Sequence, residues 1–346
     1  MRYAAVASGI AVLAALFVPQ ADAAPAPGGK IEFLTRSDVM VWIDNYRNKP
    51  EPSRVPEAVK MLSGAGAFRE PENAGFYAGF VAGVLGANPK EAERLIDRIL
   101  PLPPADQWLV VRAIAYSGMP AWKSLLARVA LKLPARRGMA DAYLTGALPV
   151  LDAIELDKSP TFLEKVGEHF GMKHKEQAVS YGRNPELVDT LWGEYFANGQ
   201  YRPIWRIITL LPWSKDRDSA ERLAVGSAAK YTLANNAARY PDLLALIKSM
   251  EEFQEADVRP VLKDVIHAAE TTETSAIRKE QTALVEKLKT KGAGYQRDLK
   301  TWGYVGQGAI GLTCVTLAAL SLGAAGLPCV IGGAASSAAL NYWAAQ

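Results

Sequence analysis

The stretch NPKEAERLIDRIL, residues 88–100, contains a pattern that recurs through most of the chain. Asn88 is a favoured N-cap residue, and Pro89 suits the first turn of a helix because proline has no N–H to leave unpaired there. Four apolar residues then follow at helical spacing: Leu95, Ile96, Ile99 and Leu100. The stretch predicts a short turn and a helix that buries one apolar face.

The same combination of turn and proline precedes other apolar-periodic segments. Asn184-Pro185 predicts a helix that ends near Gly199, and Pro203 predicts the start of the next helix. Because little of the chain has the alternation of a strand, we expect an all-α fold. We expect the body to consist of stacked helical hairpins, similar to an α-solenoid, in which each pair buries its apolar face against its neighbours. The alternative is a helical body without repeats, since Gly and Pro mark turns in any helical protein.

Charge and hydropathy divide the chain into segments. Residues 31–256 have the charge distribution of a water-soluble helical body. Residues 257–300 mix apolar positions with charges, which predicts one long helix or two helices separated near Thr271. Residues 301–346 contain no Asp, Glu, Lys or Arg, and we expect them to form an apolar, Gly/Ala-rich helical hairpin.

The N-terminus has the features of a secretory signal peptide. Arg2 precedes an uncharged apolar segment, residues 4–18, and Ala21 and Ala23 supply the small residues of a cleavage site. About 15 apolar residues is short for a membrane span of roughly 20, which disfavours an N-terminal anchor. We therefore predict a signal peptide at residues 1–23, a flexible tether at residues 24–30, and export to the periplasm or cell envelope.

The C-terminal segment is long enough to contact a membrane. Residues 303–325 would extend about 34 Å as a helix, compared with roughly 30 Å for a hydrocarbon core. The side chains expected to contact lipid are Trp302, Tyr304, Leu312, Leu317, Leu320, Tyr342 and Trp343. The small residues expected to let the two helices pack closely are Gly311, Ala319, Gly333 and Ser337.

Burial within the body is the alternative for this segment. Gly and Ala gain little from lipid, and the basic residues between Lys287 and Lys300 would lie outside the inner membrane, against the positive-inside tendency. Export would permit a disulfide between Cys314 and Cys329, which are fifteen residues apart. Two buried, unbonded thiols are the alternative.

No motif assigns a catalytic, metal or cofactor site. His169 and His174 are five residues apart, which does not fit the spacing of zinc ligands on one helix, and we predict no metal site. Exported helical proteins that cut cell-wall glycan use a glutamate general acid, for which the helix-placed candidates are Glu164, Glu168 and Glu194. Five tryptophans are expected in the core, with a binding groove as the alternative: Trp42, Trp108, Trp122, Trp192 and Trp205.

Composition and segment order favour an interaction protein over an enzyme. The net charge is +3, from 39 basic and 36 acidic residues, which is too small to predict nucleic-acid binding. We expect an exported helical scaffold that contacts membrane lipids and an unidentified protein partner, and that needs no cofactor. A secreted membrane-active protein of the pore-forming kind and a cell-wall-modifying enzyme are the alternatives.

Overall fold

The computed structural model describes residues 32–71, 74–154, 185–216 and 220–271. Within these ranges the regular secondary structure consists of twelve α-helices and short 3-10 turns, with no β-strand. The prediction of an all-α fold is therefore confirmed for this part of the chain.

The helices begin and end close to the positions that the turn residues and prolines predict. In chain order they are α1 (Arg36–Tyr46), α2 (Val55–Gly64), α3 (Gly75–Ala87), α4 (Ala92–Ile99), α5 (Trp108–Tyr116), α6 (Trp122–Ala130), α7 (Arg137–Thr145), α8 (Pro185–Asn198), α9 (Tyr201–Thr209), α10 (Ala220–Arg239), α11 (Pro241–Met250) and α12 (Val258–Glu270).

One predicted helix start is wrong. Asn88 does not cap α4, which begins at Ala92. Instead Asn88 ends α3, where its side-chain Nδ2 donates to the carbonyl oxygen of Val84 at 2.9 Å. Asparagine readily makes such local bonds to the backbone, so it can end one helix as well as start another. The predicted apolar face of α4 is confirmed, because Leu95, Ile96 and Ile99 are buried.

Helices α3 and α8 pack closely at the centre of the body. Three glycines spaced four residues apart, Gly75, Gly79 and Gly83, face α8, and every residue of α3 from Gly75 to Leu85 is buried. A Cβ on Gly79 would overlap the carbonyl oxygen of Thr190, and one on Gly193 would overlap that of Phe76. The two backbones can approach this closely only because these positions lack side chains.

A single hydrophobic core extends from Phe33 to Ala269. Trp108 and Trp192 are buried in it, as predicted, whereas Trp42, Trp122 and Trp205 are only partly buried at its edge. Helix α12 contributes one apolar face to the same core, consisting of Val258, Val261, Leu262, Val265, Ile266, Ala268 and Ala269.

The predicted terminal segments lie outside the described residues. These are the signal peptide, the tether and the apolar hairpin, together with the lipid-contacting residues from Trp302 to Trp343, the packing residues from Gly311 to Ser337, and Cys314 and Cys329. Among the residues that the structure does describe, no helix combines the length and apolar character needed to cross a bilayer.

Candidate functional site

A cavity of about 280 Å³ lies where the end of α5 meets the start of α6 and the segment around Leu151. Its walls combine two aromatic side chains, one carboxylate and several apolar groups. The lining residues are Ala115, Tyr116, Gly118, Met119, Pro120, Trp122, Val150, Leu151 and Asp152. Tyr116 and Trp122 are both half-buried, so part of each ring remains accessible.

Two arginines of α9 fix the carboxylate side of the cavity. Arg206 donates from Nη1 to the carbonyl oxygen of Leu151 at 2.8 Å and from Nη2 to that of Ile154 at 2.9 Å. Arg202 forms an ion pair with Asp152, with 3.1 Å between nitrogen and oxygen. The 3-10 turn Leu151–Ala153 is therefore held at both ends and through its acidic side chain.

Glu194, which lies on α8, interacts electrostatically with Asp152 of this 3-10 turn. Burial raises the pKa of Glu194 to about 7, and the negative charge of Asp152 adds to the rise, while Arg206 and Arg202 act against it. A carboxyl group with a pKa near 7 can both give up and accept a proton at neutral pH. Glu194 lies outside the cavity lining, which consists of the residues named above.

A second group of polar residues contacts Tyr116 from α5 and α7. Arg112 forms an ion pair with Glu186, and the rings of Tyr143 and Tyr116 pack edge-to-face with 6.0 Å between their centroids. Burial raises the pKa of Asp189, and the charge of Glu186 raises it further. Tyr116 also lines the cavity, so this group of residues borders the cavity.

The polar cluster near the end of α1 is built differently. Arg47 lies over the rings of Tyr195 and Tyr240, with 5.2 and 5.0 Å to the ring centroids. It donates to the hydroxyl of Tyr195 at 3.1 Å and forms an ion pair with Asp242. The hydroxyl of Tyr240 donates to Asp44. Hydrogen bonding and charge from Arg47 lower the pKa of Asp242. This cluster joins α1 to α8 and α11.

Of the three candidate general acids, only Glu194 falls within the described residues, and Glu164 and Glu168 do not. His267 is exposed on α12, while His169 and His174 also fall outside. Among the described residues, no group of three or more His, Cys, Asp or Glu side chains could hold a metal ion.

The rest of the site was not identified from sequence. Asp152, Arg206 and Tyr116 come from three separate elements and follow no local spacing. The only available signal was Trp122, for which a binding groove was the alternative to core packing.

Over the residues that the structure describes, these features define the class as an all-α body with a small, partly aromatic cavity beside a cluster of carboxylates and arginines. No protein family, curated protein or solved structure matches the chain.

Proposed function

We propose that this protein is an exported helical scaffold of the cell envelope, whose body binds a partner and whose C-terminal segment attaches it to a membrane. The observation that carries the proposal is the contrast between a charged body and a terminal segment without ionic side chains. The body places ion pairs such as Arg128–Glu93 and Lys132–Asp97 at its surface. Residues 301–346 have no Asp, Glu, Lys or Arg at all. A surface with charged side chains suits water, whereas a segment without ionic side chains suits the interior of a lipid bilayer.

The proposal includes the finer architecture predicted from sequence. Consecutive helices α5, α6 and α7 contact one another, and so do α10, α11 and α12, which supports stacking of hairpins within these two groups. The α3–α8 pair joins segments far apart in the sequence, whereas each unit of a regular solenoid contacts only its neighbours. We therefore propose two short helical stacks joined through α3 and α8, followed by an apolar hairpin at residues 301–346.

Cell fractionation tests the attachment. The full chain should pellet with membranes and resist carbonate extraction, whereas a chain truncated after Lys300 should be soluble. Leu317→Lys with Leu320→Lys should also release the protein, because each buried lysine opposes insertion by about 2.5–3.5 kcal/mol. The matched control places lysines at two exposed apolar positions of the body, Val41 and Leu131, and should leave the distribution unchanged.

A full-length protein found only in the soluble fraction would contradict membrane attachment. Leakage of dye from liposomes on addition of the protein would instead indicate a membrane-active protein, because an anchor alone releases no dye.

Cleavage of cell-wall glycan is the second candidate, and Glu194 is the observation that favours it. Glycosidases divide the work between an acid with a raised pKa and a second carboxylate that stays ionised. The pKa of Glu194 is raised to about 7, and Asp152 is the carboxylate that interacts with it. Glu194 would donate the proton to the leaving oxygen, and Asp152 would be the second carboxylate.

Digestion of purified peptidoglycan tests this candidate. Glu194→Gln should abolish release of soluble fragments, while the exposed Glu57→Gln control should retain it. If the unaltered protein releases no fragments, glycan cleavage is wrong.

A further inference from the structure

We infer that the cavity lined by Tyr116, Trp122 and Asp152 binds a single ring of a neutral sugar. The inference goes beyond the proposed function, because it requires neither membrane attachment nor hydrolysis. It depends on the size of the cavity, on the aromatic walls, and on the way in which the carboxylate is held.

The size of the cavity limits the ligand to about one ring. Cavities that enclose drug-sized ligands measure about 300–1,000 Å³, and this one measures about 280 Å³. The cavity also opens to solvent, so neighbouring units of a longer glycan can remain outside.

The aromatic walls suit the apolar face of a sugar ring. Tyr116 and Trp122 are half-buried, and Met119 and Pro120 lie beside them. A flat aromatic surface combined with a few fixed polar groups is the usual composition of a small-molecule site. The C–H groups on one face of a pyranose would pack on these rings while its hydroxyls point elsewhere.

Asp152 is a fixed acceptor for those hydroxyls. Its side chain remains 40% exposed although it pairs with Arg202 at 3.1 Å. A carboxylate has about four acceptor positions, so one ion pair does not exhaust it. Because Arg206 holds the carbonyl groups of Leu151 and Ile154, the turn that carries Asp152 is positioned before the ligand arrives.

The charges around the cavity disfavour an ionic ligand. Arg202 and Arg206 oppose an organic cation, and Lys123 already lies 5.6 Å from the centre of the Trp122 ring. Asp152 opposes an anion, because it is the one charged side chain among the residues that line the cavity. A neutral ligand with several hydroxyl groups remains as the chemistry that the walls recognise.

Isothermal titration calorimetry of the full chain tests the ligand class. The probes are the N-acetylglucosamine trisaccharide and maltotriose as neutral sugars, choline as a cation and glucose 6-phosphate as an anion. At least one neutral sugar should bind on the order of tenfold more tightly than either ion, which corresponds to about one charge-assisted hydrogen bond. Equal or tighter binding of choline or glucose 6-phosphate would overturn the inference, and so would the absence of heat from both neutral sugars.

Matched variants test the location. Asp152→Ala should weaken the binding of the neutral sugar about tenfold. Asp141→Ala, which removes another exposed arginine-paired carboxylate, should not weaken it. Trp122→Ala should abolish binding, whereas Trp122→Phe should retain most of the affinity but lose the change in tryptophan fluorescence on binding. Circular dichroism confirms that each variant folds, and the phenylalanine variant keeps the test valid if the alanine variant does not. Unchanged affinity in Asp152→Ala, or an unchanged fluorescence signal in Trp122→Phe, would place the sugar elsewhere.

Discussion

Arg47 and Arg112 both interact with α8, and the surroundings of the two arginines differ. Each pairs with an acid that is the second residue of a proline-opened helix, Asp242 in α11 for Arg47 and Glu186 in α8 for Arg112. Each also lies over an aromatic ring. The side chain of Asp242 is 59% exposed, however, and that of Glu186 is 15% exposed.

This difference in exposure distinguishes the Arg47 cluster, which holds helices together, from the surroundings of Arg112, which belong to a candidate functional site. Around Arg47 the negative charge is matched, and the pKa of Asp242 is lowered. Around Arg112 the paired carboxylate of Glu186 is half-buried, and burial together with its charge raises the pKa of Asp189. Burial also raises the pKa of Glu194, on the same helix. Burial and a neighbouring like charge both oppose ionisation and so raise the pKa of a carboxyl group. Such raised pKa values are concentrated at functional sites. Tyr116, which interacts electrostatically with Arg112, also lines the cavity.

The largest expected effect is the loss of an arginine. Arg112→Met should lower the free energy of unfolding by about 3–5 kcal/mol, since it removes the charge that pairs with the largely buried carboxylate of Glu186. Arg47→Met should cost about 1–2 kcal/mol, because water can solvate the exposed Asp242 in its place. Urea denaturation followed by circular dichroism measures both values. An equal cost for the two variants would remove the distinction between the two clusters.

The α3–α8 pair supports both clusters, and its glycines can be tested next. Gly79→Ala should lower the free energy of unfolding by about 3 kcal/mol, because the new Cβ meets backbone that cannot move aside easily. Gly138→Ala, in α7, is the matched control. A Cβ there meets nothing within 4 Å, so this change should raise stability by about 0.5–1 kcal/mol. If both variants are equally stable, the helices do not approach as closely as described.

The pH dependence of stability should have opposite signs for Glu194 and for Asp242 of the Arg47 cluster. A folded-state pKa of about 7 for Glu194, above its ordinary 4.5, means that folding disfavours its ionisation. The stability of the unaltered protein relative to Glu194→Gln should therefore fall between pH 4.5 and 7, by about 2 kcal/mol once its partial exposure is allowed for.

Asp242 provides the comparison. Its pKa is lowered in the folded protein, so it contributes stability above its ordinary value of 3.8 that is lost as the pH falls through the folded-state pKa. Asp242→Asn should thus be destabilising at neutral pH and lose its effect in acid. Parallel stability curves for all three proteins would show that neither pKa shift exists.

The smallest expected effect concerns Asn236 on α10. This residue is fully buried, and neither atom of its side-chain amide has a hydrogen-bond partner among the described residues. It lies one turn after Thr232, whose hydroxyl accepts from Nε1 of Trp192 at 2.9 Å. Asn236→Leu should raise the free energy of unfolding by about 1 kcal/mol, because it removes a buried group that costs about 1–3 kcal/mol when unpaired.

The exposed Asn45→Leu serves as its control in the same thermal or urea melts and should change stability by less than about 0.5 kcal/mol. A loss of stability in Asn236→Leu would mean that the amide is paired in solution, through water or a side chain.

Local features were predicted well because their causes are local. Proline at the start of α8, and the apolar face of α4, depend on residues within a few positions of one another. Asn88 was assigned to the wrong helix because its side chain can bond the backbone on either side of a turn. Close packing through small residues is predicted from sequence for residues 301–346 and not for α3, where Gly75, Gly79 and Gly83 recur every four residues.

The sequence by itself determined an all-α body, the main helix boundaries, and the change of composition at residue 301, because periodicity, proline and charge act over one or two helical turns. Only the tertiary structure decided that α3 packs on α8 and that Tyr116 and Asp152 line one cavity, with Arg206 bonded to its wall at Leu151. Tertiary contacts of this kind depend on which surfaces are complementary at close range. For α3 and α8 the close approach depends on the absence of a Cβ atom at Gly79 and Gly193.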